Sequence, residues 1–391
     1  MDKPYYPFKP IASIDALAKT LGVHPKILVK TANDAQSAYT SFQIETKNKI
    51  RVVHEPKYTL KLIQKRINSR IFEKVIYPEY LMGGIKSLEK RDYVENAARH
   101  TQSKTLINLD IKSFYENIKE NYVFDIYKKL FHFPDDVSSI MTQLTTLRGR
   151  VPQGACTSSY VANLIFFNSE YSLVSEFRAR GLVYTRLLDD VAISTNAKNL
   201  DNDEIEKIIK SVAALFRKFE LKIKNKKTKI EYKNDINSEY KVTGLWVGNN
   251  HPRLRKMERR YIRQLVYVCE QKHAESSSSS DYHDFWNKCS GLVAKMTRLN
   301  HAEAPKLRDR LSKILPIYDE ITKKKIYLDI YKLFRRASVG MVYTHGLVTK
   351  INVCYYQLGI LGRTDKGIAK SIRRKMKVTF KNLPTKSMLW E

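Results

Sequence analysis

Apolar positions along this chain recur with two different periods, and the change from one to the other divides it. Residues 14–30 (IDALAKTLGVHPKILVK) space Leu17, Leu21, Val23, Ile27 and Leu28 as on a helix. Gly22 interrupts the run, so two short helices joined by a turn are expected. Residues 42–53 (FQIETKNKIRVV) read as two strands about a polar turn. Residues 58–76 put Leu60, Ile63, Ile67 and Ile71 on one helix face, with Lys61, Lys65, Arg66 and Arg70 on the other. A polar, irregular or helical segment (92–100) leads into a strand that begins at Thr105. A helix follows at about 121–131. Residues 151–167 turn at Pro-Gln-Gly and become an apolar core helix. Residues 184–195 (YTRLLDDVAIST) predict a strand–turn–strand hairpin with Asp189 and Asp190 at its tip. A helix at 203–221, a lysine-rich strand within 221–232 and a strand or tight hairpin at 240–248 complete this part. Beyond Asn250 the spacing is helical through 284–314 and 324–336, with a surface loop at the serine run 276–280. An α+β lobe followed by a helical one is the expected order.

The two acidic positions carry the first chemical signal. Asp110 interrupts an apolar strand, and a lone buried carboxylate is costly unless something compensates its charge. With Asp189 and Asp190 it could hold a pair of Mg²⁺ ions, which prefer oxygen ligands. Ions about 3.5–4 Å apart clamp the attacking and leaving oxygens of a phosphoryl transfer. Lys47, Lys49 and Arg51 lie on the 42–53 hairpin, as a solvated edge or as a basic flap over a triphosphate. Gly154 allows close backbone approach by a ligand, and Gln153 can both donate and accept hydrogen bonds.

Charge narrows the partner. Lys+Arg 70 against Asp+Glu 40 gives a formal net charge of +30 over 391 residues, which favours nucleic acid. Arg253, Arg255, Lys256, Arg259, Arg260 and Arg263 open a basic helical region, and Arg373, Arg374, Lys375 and Lys377 close the chain. Four scattered cysteines form no CxxC pair, which argues against a zinc site or a disulfide framework. No signal-peptide core and no apolar run of transmembrane length is present. A soluble, cytoplasmic protein with no membrane partner is expected.

Taken together and in order, the segments resemble a reverse transcriptase. LDIKSFYENI resembles the first catalytic motif and VPQGACTSSYVANL the template- and nucleotide-contacting motif. LLDD stands where the family usually has Tyr-X-Asp-Asp, so Leu187 replaces an aromatic residue. NKKTKI resembles the motif whose lysine, here Lys227, lies near the incoming nucleotide. NAARH (96–100) and Val242-Thr243-Gly244 are similar to signatures of retron reverse transcriptases. The N-terminal LAKTLGV and residues 290–307 are similar too.

The resemblance implies a right-hand polymerase fold of α+β class, its palm an antiparallel sheet packed on helices. The expected limits are an N-terminal helical cap (1–40), fingers (41–104, with 119–150 shared between fingers and palm), palm (105–249), helical thumb (250–322) and a basic C-terminal extension (323–391). It implies two Mg²⁺ ions, replaceable by Mn²⁺, held by Asp110, Asp189, Asp190 and the Ile111 carbonyl. A primer 3′-hydroxyl would attack the α-phosphate of a dNTP. Arg51, Tyr115, Gln153 and Lys227 would contact the nucleotide: Arg51 at the triphosphate, Tyr115 against a ribose 2′-OH, Lys227 as proton donor to pyrophosphate. Asn96, His100, Val242, Thr243, Gly244, Arg253, Arg255, Arg259 and Arg260 would bind RNA or DNA. The expected partners are a structured noncoding RNA template, a DNA product and an effector or second protein in anti-phage defence. Two alternatives remain: a non-retron defence polymerase making repetitive or protein-primed DNA, and a catalytically silent RNA-binding scaffold.

Overall fold

The computed structural model describes residues 2–46, 49–197, 199–235, 237–338, 340 and 342–390. The chain forms two compact units, Met1–Arg253 and Leu254–Glu391. In the first, β1 (Tyr39–Thr46) and β2 (Lys49–Pro56) form a separate antiparallel hairpin. The central sheet contains β3 (Thr105–Asp110), β4 (Val183–Leu187), β5 (Asp190–Thr195) and β6 (Lys229–Tyr232), ordered β4-β5-β3-β6 and antiparallel throughout. β7 (Lys241–Val242) and β8 (Leu245–Trp246) make a small second hairpin.

Leu106, Ile107 and Leu109 are all buried, so β3 has few solvent-facing positions; its apolar run is explained by cover on both faces. The same core takes in helices Tyr58–Arg70, Asp135–Thr145, Ser158–Leu164, Glu170–Ala179 and Asn202–Arg217. The expected pair of N-terminal helices is Ile14–Leu21 and Pro25–Asn33. Ser13 caps the first, and Gly22 ends it in the left-handed region, φ 63°, where a side chain would be strained.

Arg66 and Arg70 were expected on a solvated basic face of helix Tyr58–Arg70. They instead cap that first helix: Arg66 Nη1 donates to the carbonyls of Leu21 and Gly22 at 3.1 and 2.8 Å, and Arg70 Nη1 to Thr20 at 2.8 Å. Helix carbonyls left without amide partners draw the guanidinium groups inward. Residues 221–223 are not a strand. Ile223 makes a single bridge to Ile111, and the strand begins only at Lys229. The serine run forms the expected surface loop, joining helix Lys256–Glu275 to helix Ser280–Arg298, and Ser279 at its end caps the second helix by accepting from Tyr282 N at 3.2 Å.

Behind the catalytic-type hairpin lies a fully buried ion pair. Arg186 donates Nε and Nη2 to the two Glu170 oxygens at 2.6 and 2.8 Å. Its other N–H groups reach the carbonyls of Ala162, Asn163 and Leu188 at 3.2, 2.9 and 3.3 Å, so every guanidinium donor is used. Tyr184 donates its hydroxyl to the same carboxylate at 2.8 Å. Burial opposes the charge on Arg186, and the Glu170 carboxylate more than offsets that opposition.

The second unit is helical. Lys256–Glu275, Ser280–Arg298 and Ala304–Lys313 are followed by Glu320–Ser338, His345–Leu361 and Lys366–Thr379, whose core includes Ile330, Leu347, Ile351, Leu358, Met376 and Phe380. His345–Leu361 was not anticipated from the spacing. All four cysteines are free, and no described helix is long and apolar enough to cross a membrane.

Removing one partner of the buried pair leaves an uncompensated charge. Glu170→Leu should cost about 3–5 kcal/mol in denaturant unfolding. Adding Arg186→Met should recover only part of that, because the carbonyls of Ala162, Asn163 and Leu188 then lose their donor. Full recovery in the double variant would show that those backbone contacts contribute nothing.

Candidate active site

Strand register assembles the acidic residues. In the β3–β5 pairing Asp110 falls opposite Asp190, and in β4–β5 Leu187 falls opposite Asp190. Leu188 and Asp189 make the turn, with Leu188 at φ 58°. Ile111 N donates to Asp189 O at 3.0 Å, tying the end of β3 to that turn. The expected strand–turn–strand, with the acids at its tip, is therefore what the chain forms.

Asp110 is 5% exposed and its carboxylate is ion-paired with the Lys227 ammonium. That hydrogen bond raises the Lys227 pKa. Asp189 is raised from its ordinary value by burial and by the Asp110 charge, against the pull of a backbone hydrogen bond, Lys227 and Arg51. Asp190 reaches solvent at its edge, yet loss of hydration, with Asp189 and Asp110 adding, pushes it up to about 6. Three oxygen-bearing groups thus crowd together with one lysine as counter-ion. Among the described residues no three such side chains are already closed into a metal cage. The all-oxygen donor set suits a hard divalent cation.

Around this centre stand the other expected contacts. Tyr115 is half-buried near Asp189, and burial followed by that charge raises its hydroxyl to about 12. Arg51 is exposed on β2, close enough for its charge to act on Asp189. Lys47 lies outside the described residues; Lys49 begins β2. Gln153 accepts at its carbonyl from His54 N, 2.8 Å away. Gly154, at φ 111°, meets Val53 so closely that a Cβ would stand 2.4 Å from Val53 Cγ1. The close approach at Gly154 is thus taken by β2 of this chain, where a ligand was expected.

The two signature segments pack on one another. Thr243 Oγ1 donates to Tyr93 O at 2.8 Å, at the start of helix Tyr93–Ala98. Val242 and Asn96 are buried. His100 is withdrawn from the expected nucleic-acid contacts. It is fully buried, with Nδ1 2.8 Å from Ser194 Oγ and Nε2 2.7 Å from Thr185 Oγ1, and so joins β5 to β4. A cavity of ≈ 510 Å³ runs past Asn96, Asn108, Leu187, Asp190, Thr243 and Gly244, so Thr243 and Gly244 retain an open side.

Among the basic residues, Arg253 pairs through its backbone with Trp246. In the second unit Arg259 and Arg263 both contact Glu303, at 3.3 and 3.2 Å, and Arg255 N donates to Glu258. Arg260 is exposed.

Residues 35–272 match the family described as Reverse transcriptase (RNA-dependent DNA polymerase). The retron Se72 reverse transcriptase of Salmonella heidelberg (strain 579083-10) is 45% identical over 378 residues, covering 96% of this chain and 98% of that one. The chain belongs to the retron reverse transcriptases. The retron Ec48 reverse transcriptase of Escherichia coli is 30% identical over 93% of this chain and 91% of its own. The retron Ec86 reverse transcriptase of the same species is 26% identical over 62% and 72%. This retron reverse transcriptase is accordingly an RNA-directed DNA polymerase with a right-hand, α+β fold. Divalent metal ions are general to the family.

Sequence patterning passed over Arg186 and Glu170, although a signal existed. In YTRLLDD, Arg186 shares a strand face with the buried Tyr184, and a charge on a buried face requires a partner.

His100 sets a pH dependence. Loss of hydration, with Arg99 adding, lowers its pKa from 6.5 to about 3, so the folded state holds it neutral. Its contribution is complete above pH 6.5 and falls as pH drops toward about 3. The loss should be about 1.4 kcal/mol per pH unit. Denaturant midpoints measured from about pH 7 to about pH 4.5 should fall less steeply in His100→Gln than in the parent. Equal slopes would mean that His100 titrates freely in the folded state.

Proposed function

We propose that this enzyme copies a cognate structured noncoding RNA into DNA as part of bacterial anti-phage defence, in the cytoplasm, with an effector or second protein as partner. The observation that carries the catalytic part is the register that sets Asp110 opposite Asp190 beside Asp189. The near full-length likeness to a retron reverse transcriptase supports the template and the defence role.

Asp110, Asp189 and Asp190, with the Ile111 carbonyl, would hold two Mg²⁺ ions, or Mn²⁺ in their place. When bound, such ions neutralise charge developing at the α-phosphate and acidify the attacking 3′-hydroxyl. The chain's own groups do the rest. Arg51 offers the incoming triphosphate a planar fork. Gln153 orients the nucleotide from the turn braced on β2. Lys227, held at Asp110, is placed to give a proton to departing pyrophosphate. Tyr115 fills the space beside C2′ and so selects deoxynucleotides. Thr243, Gly244 and Arg260, together with Arg253 and Arg255, would contact the nucleic-acid strands. Residues 41–104 would act as fingers, 105–249 as palm and 250–322 as thumb. The division of the chain into compact units after Arg253 supports the last of these limits.

Sequencing the nucleic acid that copurifies with the protein tests the template. A branched RNA–DNA hybrid is expected; homopolymer or simple-repeat DNA would replace this proposal with an untemplated or protein-primed polymerase. The sugar gate has its own test. Tyr115→Val should raise ribonucleotide incorporation relative to deoxynucleotide by at least about tenfold, as removal of one steric contact typically does. An unchanged dNTP/rNTP ratio would take Tyr115 out of that role.

A further inference from the structure

The backbone of residues 80–84 runs directly against the catalytic turn. Arg186 N donates to Tyr80 O at 2.8 Å, and Met82 N to Arg186 O at 2.9 Å, so the segment lies alongside β4 with a parallel bridge at Leu81. Asn163, on helix Ser158–Leu164, pins the next residue by donating Nδ2 to Gly83 O at 2.8 Å. There the segment meets Leu187 and Leu188. A Cβ on Gly83 would stand 2.7 Å from Leu187 Cγ. One on Gly84 would stand 2.7 Å from Ser159 Cβ and 3.2 Å from Leu188 Cδ2. Only glycine permits this contact.

The turn needs such support. Leu188 sits at φ 58°, a backbone region that costs a bulky residue about 1–2 kcal/mol and persists only when neighbours over-determine it. Arg186 holds the Leu188 carbonyl, Ile111 holds that of Asp189, and residues 83–84 close the remaining side.

We propose that Gly83 and Gly84 form a positioning strap for Asp189 and Asp190, and that Leu187 is the residue matched to it. An aromatic ring at 187 would press on a backbone pinned by Tyr80, Met82 and Asn163. Leu187 therefore does more than forgo a hydroxyl group: its branched end is the surface on which the strap seats, and the strap in turn sets where the carboxylates point. The inference rests on Asp189 and Asp190 carrying the chemistry.

Gly83 has ordinary backbone angles, so Gly83→Ala adds a methyl group without backbone strain. Steady-state primer extension should show kcat reduced at least about tenfold, since a 1 Å misplacement of reacting groups can cost about 10²-fold. KM for dNTP should stay within about twofold, because ground-state binding is untouched. In a Leu187→Ala background the same Gly83→Ala change should have no further effect, the clash having been removed. An equal loss in both backgrounds, or no loss in either, would overturn the strap. Leu187→Phe supplies an independent arm if Gly83→Ala does not fold. Reduced kcat is expected, and wild-type kcat would overturn the match. Asp110→Asn, assayed alongside, separates the two levels: wild-type rate in that variant would strike the assignment of the site itself, whereas an inactive Asp110→Asn with a fully active Gly83→Ala strikes the strap alone.

Discussion

In the antiparallel pairing of β3 with β5, Asp110 stands opposite Asp190, and the site depends on that register. Side chains alternate between faces, so a slip of one residue would send Asp110 to the opposite face of the sheet and bring Leu109 to the place beside the turn. The slip is opposed by what flanks it: buried Ile107 stands opposite buried Ile193, and buried Leu109 opposite buried Val191. Burial that could be satisfied by any apolar pairing is satisfied here by one alignment, and the carboxylates inherit its precision.

That alignment places negative charge where hydration is poor, and the surroundings answer with cations at different depths. Arg186 is fully buried with Glu170 behind the hairpin, its remaining donors spent on backbone carbonyls that include the turn's own. Lys227 is half exposed at the front, on Asp110. Pairs of the first kind add little net stability against an apolar substitute but fix geometry, because breaking them leaves a bare buried charge. A lysine at the surface is easily moved. One cation braces the site, and the other can yield its place when a metal ion and polyphosphate arrive.

Much of this was legible in the sequence, and what was not has physical reasons. Gly22 as a helix stop, the 42–53 hairpin and the acids at the tip of 184–195 follow from local rules of period and turn chemistry. His100 read as a binding residue because its partners, Ser194 and Thr185, are distant in sequence and only the fold joins them. Arg66 and Arg70 read as a solvated basic face because helix carbonyls that need donors leave no mark in a sequence. His345–Leu361 escaped notice since buried positions such as Leu347, Val348, Ile351, Cys354, Leu358 and Ile360 fall around too much of it for a clean stripe. Gly83 and Gly84 drew no reading from the sequence; their meaning is a contact with Leu187 and Leu188 that the sheet creates.

The central claim is that a carboxylate cluster fixed by register carries a metal-dependent polymerisation. It is tested most directly by primer extension on the copurified RNA with Asp189→Ala/Asp190→Ala protein. Divalent cation is varied and RNA binding is measured on the same preparation. The account predicts that incorporation of dNTP is abolished at every cation concentration while RNA affinity stays close to that of the parent. Extension at the parental rate, with the same dependence on cation, would contradict it.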